Sequence, residues 1–319
     1  MGYMDQGTWV TSEPKGRIRA GKYVRPKTQF RSTISDARDA RFRPEAGRYH
    51  LFVAHACPWA HRALMLRALK GLEDVISVAF ATPYMLENGW ELEGDGDTVT
   101  GARYMHDVYR LAAPDYSGRC SVPVLWDRQH QTIVSNESED IVRLLNSAFD
   151  SFATRECPDL FPEALQSSIL EVNELVYHNV NNGVYKCGFA TAQEAYEDNF
   201  NNLFAALDTL EARLAENRYL CGPQITEADW RLFATLIRFD AVYVGHFKCN
   251  LRRIADYPNL SNYTRELYQW PNIAGTLDLE KTKQHYYGSH ESINPHRIVP
   301  CGPALNFDAP HDRGRLEAA

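Results

Sequence analysis

Between residues 48 and 149 the period of the apolar residues switches from two to about 3.6 and back, and the order of those switches limits the fold more than any other feature. Residues 48–55 (RYHLFVAH) read as a strand. Pro58 to Gly71 (PWAHRALMLRALKG) reads as a helix, with Pro at its first position and Gly past its end. Residues 75–80 (VISVAF) form a second β-rich run, so the three elements follow in the order of a parallel βαβ unit. A Gly- and Asp-rich stretch over about 82–121 is too long for a plain connection and reads as a functional insertion. Two short strands, 122–126 and 131–135, then flank a polar turn, and a helix over about 137–146 follows directly.

The sum, βαβ followed by ββα, predicts an α/β domain of thioredoxin-like order over residues 48–150. From Pro162 the periods are helical only, over 163–181, 191–216, 227–244 and shorter pieces to about 284, which predicts an all-helical domain over 162–285. Within it, Thr226 and Asp229 are spaced for a capping box, with Ile225 and Trp230 placed as a hydrophobic staple. Residues 1–47 lack periodicity and read as an extended arm. Residues 286–319, rich in His, Pro and Gly, read as an extended tail. A length of 319 residues suits two domains of ordinary size.

Composition narrows the class of function. Hydrophobic residues at 44% and charged residues at 24% fit a globular chain and exclude a collagen-like or wholly disordered one. Mean hydropathy is -0.43, and no apolar run approaches the ~20 residues that cross a bilayer, so no membrane partner is expected. Residues 1–50 hold eleven Lys/Arg against five Asp/Glu, net +6, which leaves -13 on the remainder of a chain whose net charge is -7. That remainder repels polyanions, so nucleic acid is not an expected partner and the basic arm is expected to lie on the chain's own acidic surface. The N-terminus has neither a secretory hydrophobic region nor a myristoylation pattern, which points to the cytoplasm, while the Arg-rich arm leaves an organellar presequence open. Seven cysteines, odd in number, scattered and without a CxxC pair, suggest neither a disulfide framework nor a zinc ribbon. His55, Cys57 and His61 offer only three local ligands, so no metal is expected.

Cys57 is the residue with chemistry in its position, because it lies where a strand ends and a helix begins. A thiol there meets unpaired N–H groups and the positive end of the helix dipole, both of which favour the thiolate. Activation alone gains little, since a less basic sulfur is a slower nucleophile, so the larger effect must come from holding the attacked sulfur in line beside it. The plain alternative is a packing cysteine. Position 60 is Ala, so an internal CxxC disulfide is excluded and an external thiol must resolve any intermediate.

His55–His61 (HACPWAH), Asn88-Gly89-Trp90, Val122-Pro123, Asn136-Glu137-Ser138, Thr226–Asp229 (TEAD) and Tyr286–Pro300 (YYGSHESINPHRIVP) together resemble the xi class of glutathione transferases, the glutathionyl-hydroquinone reductases. The resemblance extends over nearly the whole chain in order. It implies a thioredoxin-like domain followed by the helical C-terminal domain of a glutathione transferase, glutathione as co-substrate, a glutathionyl-hydroquinone as the second substrate, and a homodimer. It also implies that Cys57 is the catalytic thiol, that Trp90 packs over glutathione, that Val122 pairs its backbone with the tripeptide, and that Pro123 is a cis-proline. Glu137 and Ser138 would take the γ-glutamyl end, where the bland alternative is a helix cap by Asn136 and Ser138. Arg119 or Arg103 would meet the other carboxylate. Tyr185 and Tyr286, with Tyr287 as a neighbour, would line the quinol pocket and donate protons. The class usually carries Gly-Gly-Trp where this chain has Asn88-Gly89-Trp90; Asn tolerates left-handed backbone. Two other functions fit parts of the pattern: an omega-like thioltransferase or dehydroascorbate reductase, and a noncatalytic ligandin.

Overall fold

The structure, a computed structural model, describes residues 2–12, 18–19, 21–23 and 28–316. The chain divides into two compact units. The first comprises Met1–Arg17, Pro26–Cys157 and Thr276–Ser289, and the second Ile18–Arg25, Pro158–Gly275 and His290–Ala319.

Two short hairpins come first, β1 (Tyr3–Asp5) with β2 (Thr8–Val10), and β3 (Ile18–Arg19) with β4 (Lys22–Tyr23). The first unit is then built on β5 (Tyr49–Val53), α1 (Pro58–Leu69), β6 (Ile76–Phe80), α2 (Met105–Ala112), β7 (Val124–Asp127), β8 (Thr132–Ser135) and α3 (Ser138–Ser147). Its sheet runs β6-β5-β7-β8, with β5 parallel to β6 and antiparallel to β7, and β7 antiparallel to β8. This is the thioredoxin-like arrangement, with α1 as the crossover between the parallel pair. All five residues of β5 are buried, as expected of a central strand. Every residue of α1 is buried too, and two buried cations at its C-terminal end, Arg67 and the C-cap Lys70, are paired. Arg67 donates to the carbonyls of Ile76 (2.6 Å) and Glu73 (3.0 Å), and Lys70 bonds Asp150 and the carbonyl of Asn146.

The second unit is helical, from α4 (Gln166–Val176) through α5 (Gly183–Gly188), α6 (Gln193–Glu216), α7 (Glu227–Arg238) and α8 (Pro258–Tyr268). Helix α7 opens on the Thr226/Asp229 capping box. Fully buried Asp229 accepts from the N–H groups of Leu220 (2.9 Å) and Thr226 (2.8 Å) and from the hydroxyls of Thr226 (3.0 Å) and Tyr263 (2.8 Å), so one carboxylate closes a loop, a helix start and a neighbouring helix.

Three features depart from the sequence-based reading. The insertion holds α2, whose Val108 and Tyr109 are fully buried. The arm is fastened, not merely extended: Met4 exchanges backbone hydrogen bonds with Gly118 (2.8 and 2.9 Å), and Gly7 donates to Tyr116 (3.0 Å). Finally, α9 (Leu279–Ser289) places Tyr286 and Tyr287 on a helix instead of an extended tail, and its polar sequence LEKTKQHYYGS offers no clear apolar stripe from which to expect this.

Candidate active site

Four residues after β5 ends, Cys57 starts α1. It has extended backbone (φ -79°, ψ 111°), acts as the N-cap, and is followed by Pro58, whose missing N–H costs nothing in the first turn. Its Sγ accepts from the Ala60 N–H at 3.4 Å and donates to the Val122 carbonyl at 3.3 Å. The thiol is half-buried. The Val122–Pro123 peptide bond is cis, and Val122 is buried. His61 is buried, with Nε2 2.8 Å from the Thr276 hydroxyl.

The start of α3 is assembled differently from the Asn136 cap weighed above. Glu137 is the N-cap, its carboxylate accepting from the Glu139 N–H (3.5 Å) and the Thr28 hydroxyl (3.1 Å). Asn136 is turned to the interior, where its amide donates to the Tyr109 hydroxyl at 3.0 Å and its carbonyl oxygen accepts from the Phe30 N–H at 3.3 Å. The buried Ser138 hydroxyl accepts from Arg62 at 3.4 Å, and that guanidinium lies 4.4 Å over the Trp59 ring. First-turn carboxylates that would repel an anion are engaged elsewhere: Asp140 by Arg31 (2.6 and 2.7 Å) and Glu139 by Arg143 (2.8 Å). A helix N-terminus beside a carboxylate suits a zwitterionic ligand end, with the ligand's carboxylate on the N–H groups and its ammonium on Glu137.

Trp90 is 8% exposed and stacks on His285 of α9, with ring centroids 4.6 Å apart and planes at 18°. The left-handed residue in this turn is Gly89 (φ 73°), not Asn88. His285 Nδ1 lies 3.0 Å from the Pro83 carbonyl, which can only accept, so Nδ1 carries the hydrogen. Burial draws the imidazole down to about 4, against a smaller opposing effect of that hydrogen bond, so the ring is neutral near pH 7. Tyr286, buried, meets the same imidazole edge-on at 5.2 Å, and Tyr287 is half-buried. The Thr282 hydroxyl, one turn before His285, lies 2.6 Å from the Asp278 carbonyl at the start of its own helix and 3.2 Å from the carbonyl of His55, two residues ahead of Cys57. Thus α9 is bonded both to the approach to the cysteine and to the turn carrying Trp90.

Of the ten candidate residues, nine lie in the first unit. Cys57 and Val122 are in contact, Pro123 follows Val122 directly, Glu137 and Ser138 share the start of α3, and Trp90 and Tyr286 meet the same histidine. Arg119 is half-buried, with its carbonyl accepting from Tyr116 at 3.0 Å. Arg103 is at the surface, ion-paired with Glu91 at 2.9 Å. Tyr185 belongs to the second unit, half-buried on α5 among Phe247 (5.4 Å), Tyr243 (6.2 Å) and Phe189 (6.4 Å). Thr28, Arg62, Thr282 and His285 had no signal in the sequence, since each acts through a partner at least 76 residues away. Among the described residues no group of three or more His, Cys, Asp or Glu is arranged to hold a metal, and no helix is long and apolar enough to cross a membrane.

Residues 56–148 match the family model of the glutathione S-transferase N-terminal domain, and residues 193–266 that of the C-terminal domain. A structure described as a xi-class glutathione transferase from Natrialba magadii is 45% identical and superposes with a TM-score of 0.93, over 99% of this chain and 98% of that one. The chain belongs to the xi-class glutathione transferases. Two relatives of this transferase carry a narrower name. The glutathionyl-hydroquinone reductase PcpF of Sphingobium chlorophenolicum is 50% identical, over 95% of this chain and 97% of its own. The glutathionyl-hydroquinone reductase YqjG of Escherichia coli is 46% identical over 98% of both chains, and its glutathione-bound structure superposes on the transferase described here with a TM-score of 0.86, covering 89% of this chain and 96% of that one.

Proposed function

We propose that this xi-class transferase reduces glutathionyl-hydroquinones to hydroquinones with glutathione as co-substrate, and that Cys57 is its catalytic thiol. The observation that carries the reading is the placement of one half-buried sulfur at the N-terminus of α1, within 3.4 Å of the Ala60 N–H and 3.3 Å of the Val122 carbonyl. The names of PcpF and YqjG, each matched over nearly the whole chain, support the substrate class.

Val122 pairs its backbone with the tripeptide as an added strand beside Pro123, which aligns the substrate sulfur with Cys57. Ser138 and the first N–H groups of α3 take the γ-glutamyl carboxylate, Glu137 takes its ammonium, and Arg119 takes the glycyl carboxylate. Arg103 is the poorer candidate for that last task, being held at the surface by Glu91. Trp90 covers the tripeptide.

Cys57 thiolate attacks the glutathionyl sulfur of the substrate in its keto tautomer. A sulfur–sulfur bond forms, the carbon–sulfur bond breaks, and its electron pair passes to the ring as an enolate. Tyr286 donates a hydrogen bond and a proton to that developing anion, and the resemblance assigns Tyr185 the same duty. The hydroquinone departs. A glutathione thiolate then attacks the Cys57–glutathione disulfide, releasing oxidised glutathione and restoring the Cys57 thiolate. Two electrons pass from two glutathionyl sulfurs to the ring carbon, so no metal or further reductant is required. The proposal extends to a cytoplasmic homodimer, on the class resemblance and on an odd, scattered cysteine set suited to a reducing compartment.

Cys57→Ser is expected to abolish turnover of a glutathionyl-hydroquinone while binding S-methylglutathione within about twofold of the parent. Retained turnover would remove the thiol mechanism. Faster turnover of a small glutathione mixed disulfide than of the hydroquinone conjugate would move the enzyme to the thioltransferases.

A further inference from the structure

One face of α9 fastens the turn that carries Trp90. His285 donates Nδ1–H to the Pro83 carbonyl at 3.0 Å, and the Ser289 hydroxyl, four residues on and therefore on the same face, accepts from the Met85 N–H at 2.9 Å. Gly288 leaves room between them for the Tyr84 ring, where a Cβ would stand 2.5 Å from its edge. Thr282, one turn back on this face, shares its hydroxyl between the Asp278 carbonyl (2.6 Å) and the His55 carbonyl (3.2 Å). Segment 83–85 is thereby tied to α9 at two backbone atoms, and the hydrogen bond to Pro83 fixes both the tautomer and the plane of the imidazole. That plane is the one against which Trp90 lies at 18°, and the ring meets Tyr286 at 82°.

We infer that His285 is the positioning residue of the glutathione site, a platform that sets the orientation of Trp90 over the tripeptide and holds Tyr286 in the same packed group. The inference rests on reading Trp90 as the cover of glutathione. The ring is buried, where a charge would be costly, and its Nδ1–H bond to Pro83 holds the imidazole in the plane against which the indole lies, so the hydrogen bond serves the stacking geometry.

The test is calorimetric titration of the full chain with S-methylglutathione, which binds without reacting, beside the alkylation rate of Cys57 by iodoacetamide. His285→Ala is expected to weaken binding about tenfold and to leave alkylation within about twofold. His285→Phe, which keeps a ring for Trp90 but loses the N–H, is expected to lose less. In a Trp90→Ala background, His285→Ala is expected to change binding by less than about twofold, because its effect passes through the indole. Unchanged binding in both His285 variants, alongside weakened binding in Trp90→Ala, overturns the inference alone, as does a full additive loss in the double variant. Normal binding by Trp90→Ala overturns the reading of Trp90, and the inference with it. If His285→Ala does not fold, His285→Phe carries the same comparison, singly and with Trp90→Ala.

Discussion

Lowering the pH should destabilise the first unit through His285. The imidazole of His285 moves from 6.5 to about 4 on burial, and the Pro83 hydrogen bond recovers only part of that cost. In the unfolded chain the ring takes a proton below 6.5; in the folded chain it does not do so until about 4. The unfolded state therefore binds more protons between these values. The contribution is full above 6.5, falls as pH drops through the window, and is gone below about 4. A change of this size corresponds to about 3 kcal/mol. Phe at this position keeps the ring volume and takes no proton. The assay is urea unfolding at pH 7 and pH 4 for the parent chain and His285→Phe. The parent is expected to lose about 3 kcal/mol more than the variant between the two. Observing the His285 ring by NMR gives an independent check, with the resonance that disappears in His285→Phe titrating near 4. A ring titrating near 6.5, or equal losses in the two chains, would refute the burial argument.

Tyr286→Phe is expected to lower kcat for a glutathionyl-hydroquinone roughly tenfold to a hundredfold while S-methylglutathione binding holds, and Tyr185→Phe to act in the same direction; an unchanged kcat in both would dismiss the phenols as proton donors. Asp229→Ala leaves four hydrogen-bond donors at a fully buried position without their acceptor, so the second unit is expected to lose at least about 3 kcal/mol in urea; a loss below about 1 kcal/mol would contradict the account of α7.

What could be read from the sequence was local in the chain. The start of α1 was legible because a β-rich run, Cys57 and Pro58 follow within a few residues, and the α7 capping box because Thr226 and Asp229 are three apart. The thioredoxin-like order was legible because each strand and helix carries its own period. The contents of the insertion were not, because α2 is eight residues long and its burial depends on Tyr109 bonding Ser121 and Asn136 across the unit. The Asn136–Ser138 stretch shows how spacing misleads: three adjacent residues can each cap a helix, and Tyr109 and Phe30, 27 and 106 residues distant, decide that Asn136 faces inward while Glu137 caps. Helix α9 was the largest omission. Its stabilising partners are His55, Pro83, Met85 and Trp90, all roughly two hundred residues earlier, and its own sequence is too polar to announce a buried face. Even the recognition of Tyr286 came from a motif, not from any sign that a helix would present it.

The most direct test is a single-turnover experiment with glutathionyl-hydroquinone and no added glutathione, followed by acid quench and peptide mass analysis. The account requires one equivalent of hydroquinone released and one glutathionyl group found on the peptide containing Cys57, discharged as oxidised glutathione when glutathione is added. Hydroquinone formed with Cys57 unmodified and no glutathionyl group on it at any time point would contradict the covalent route.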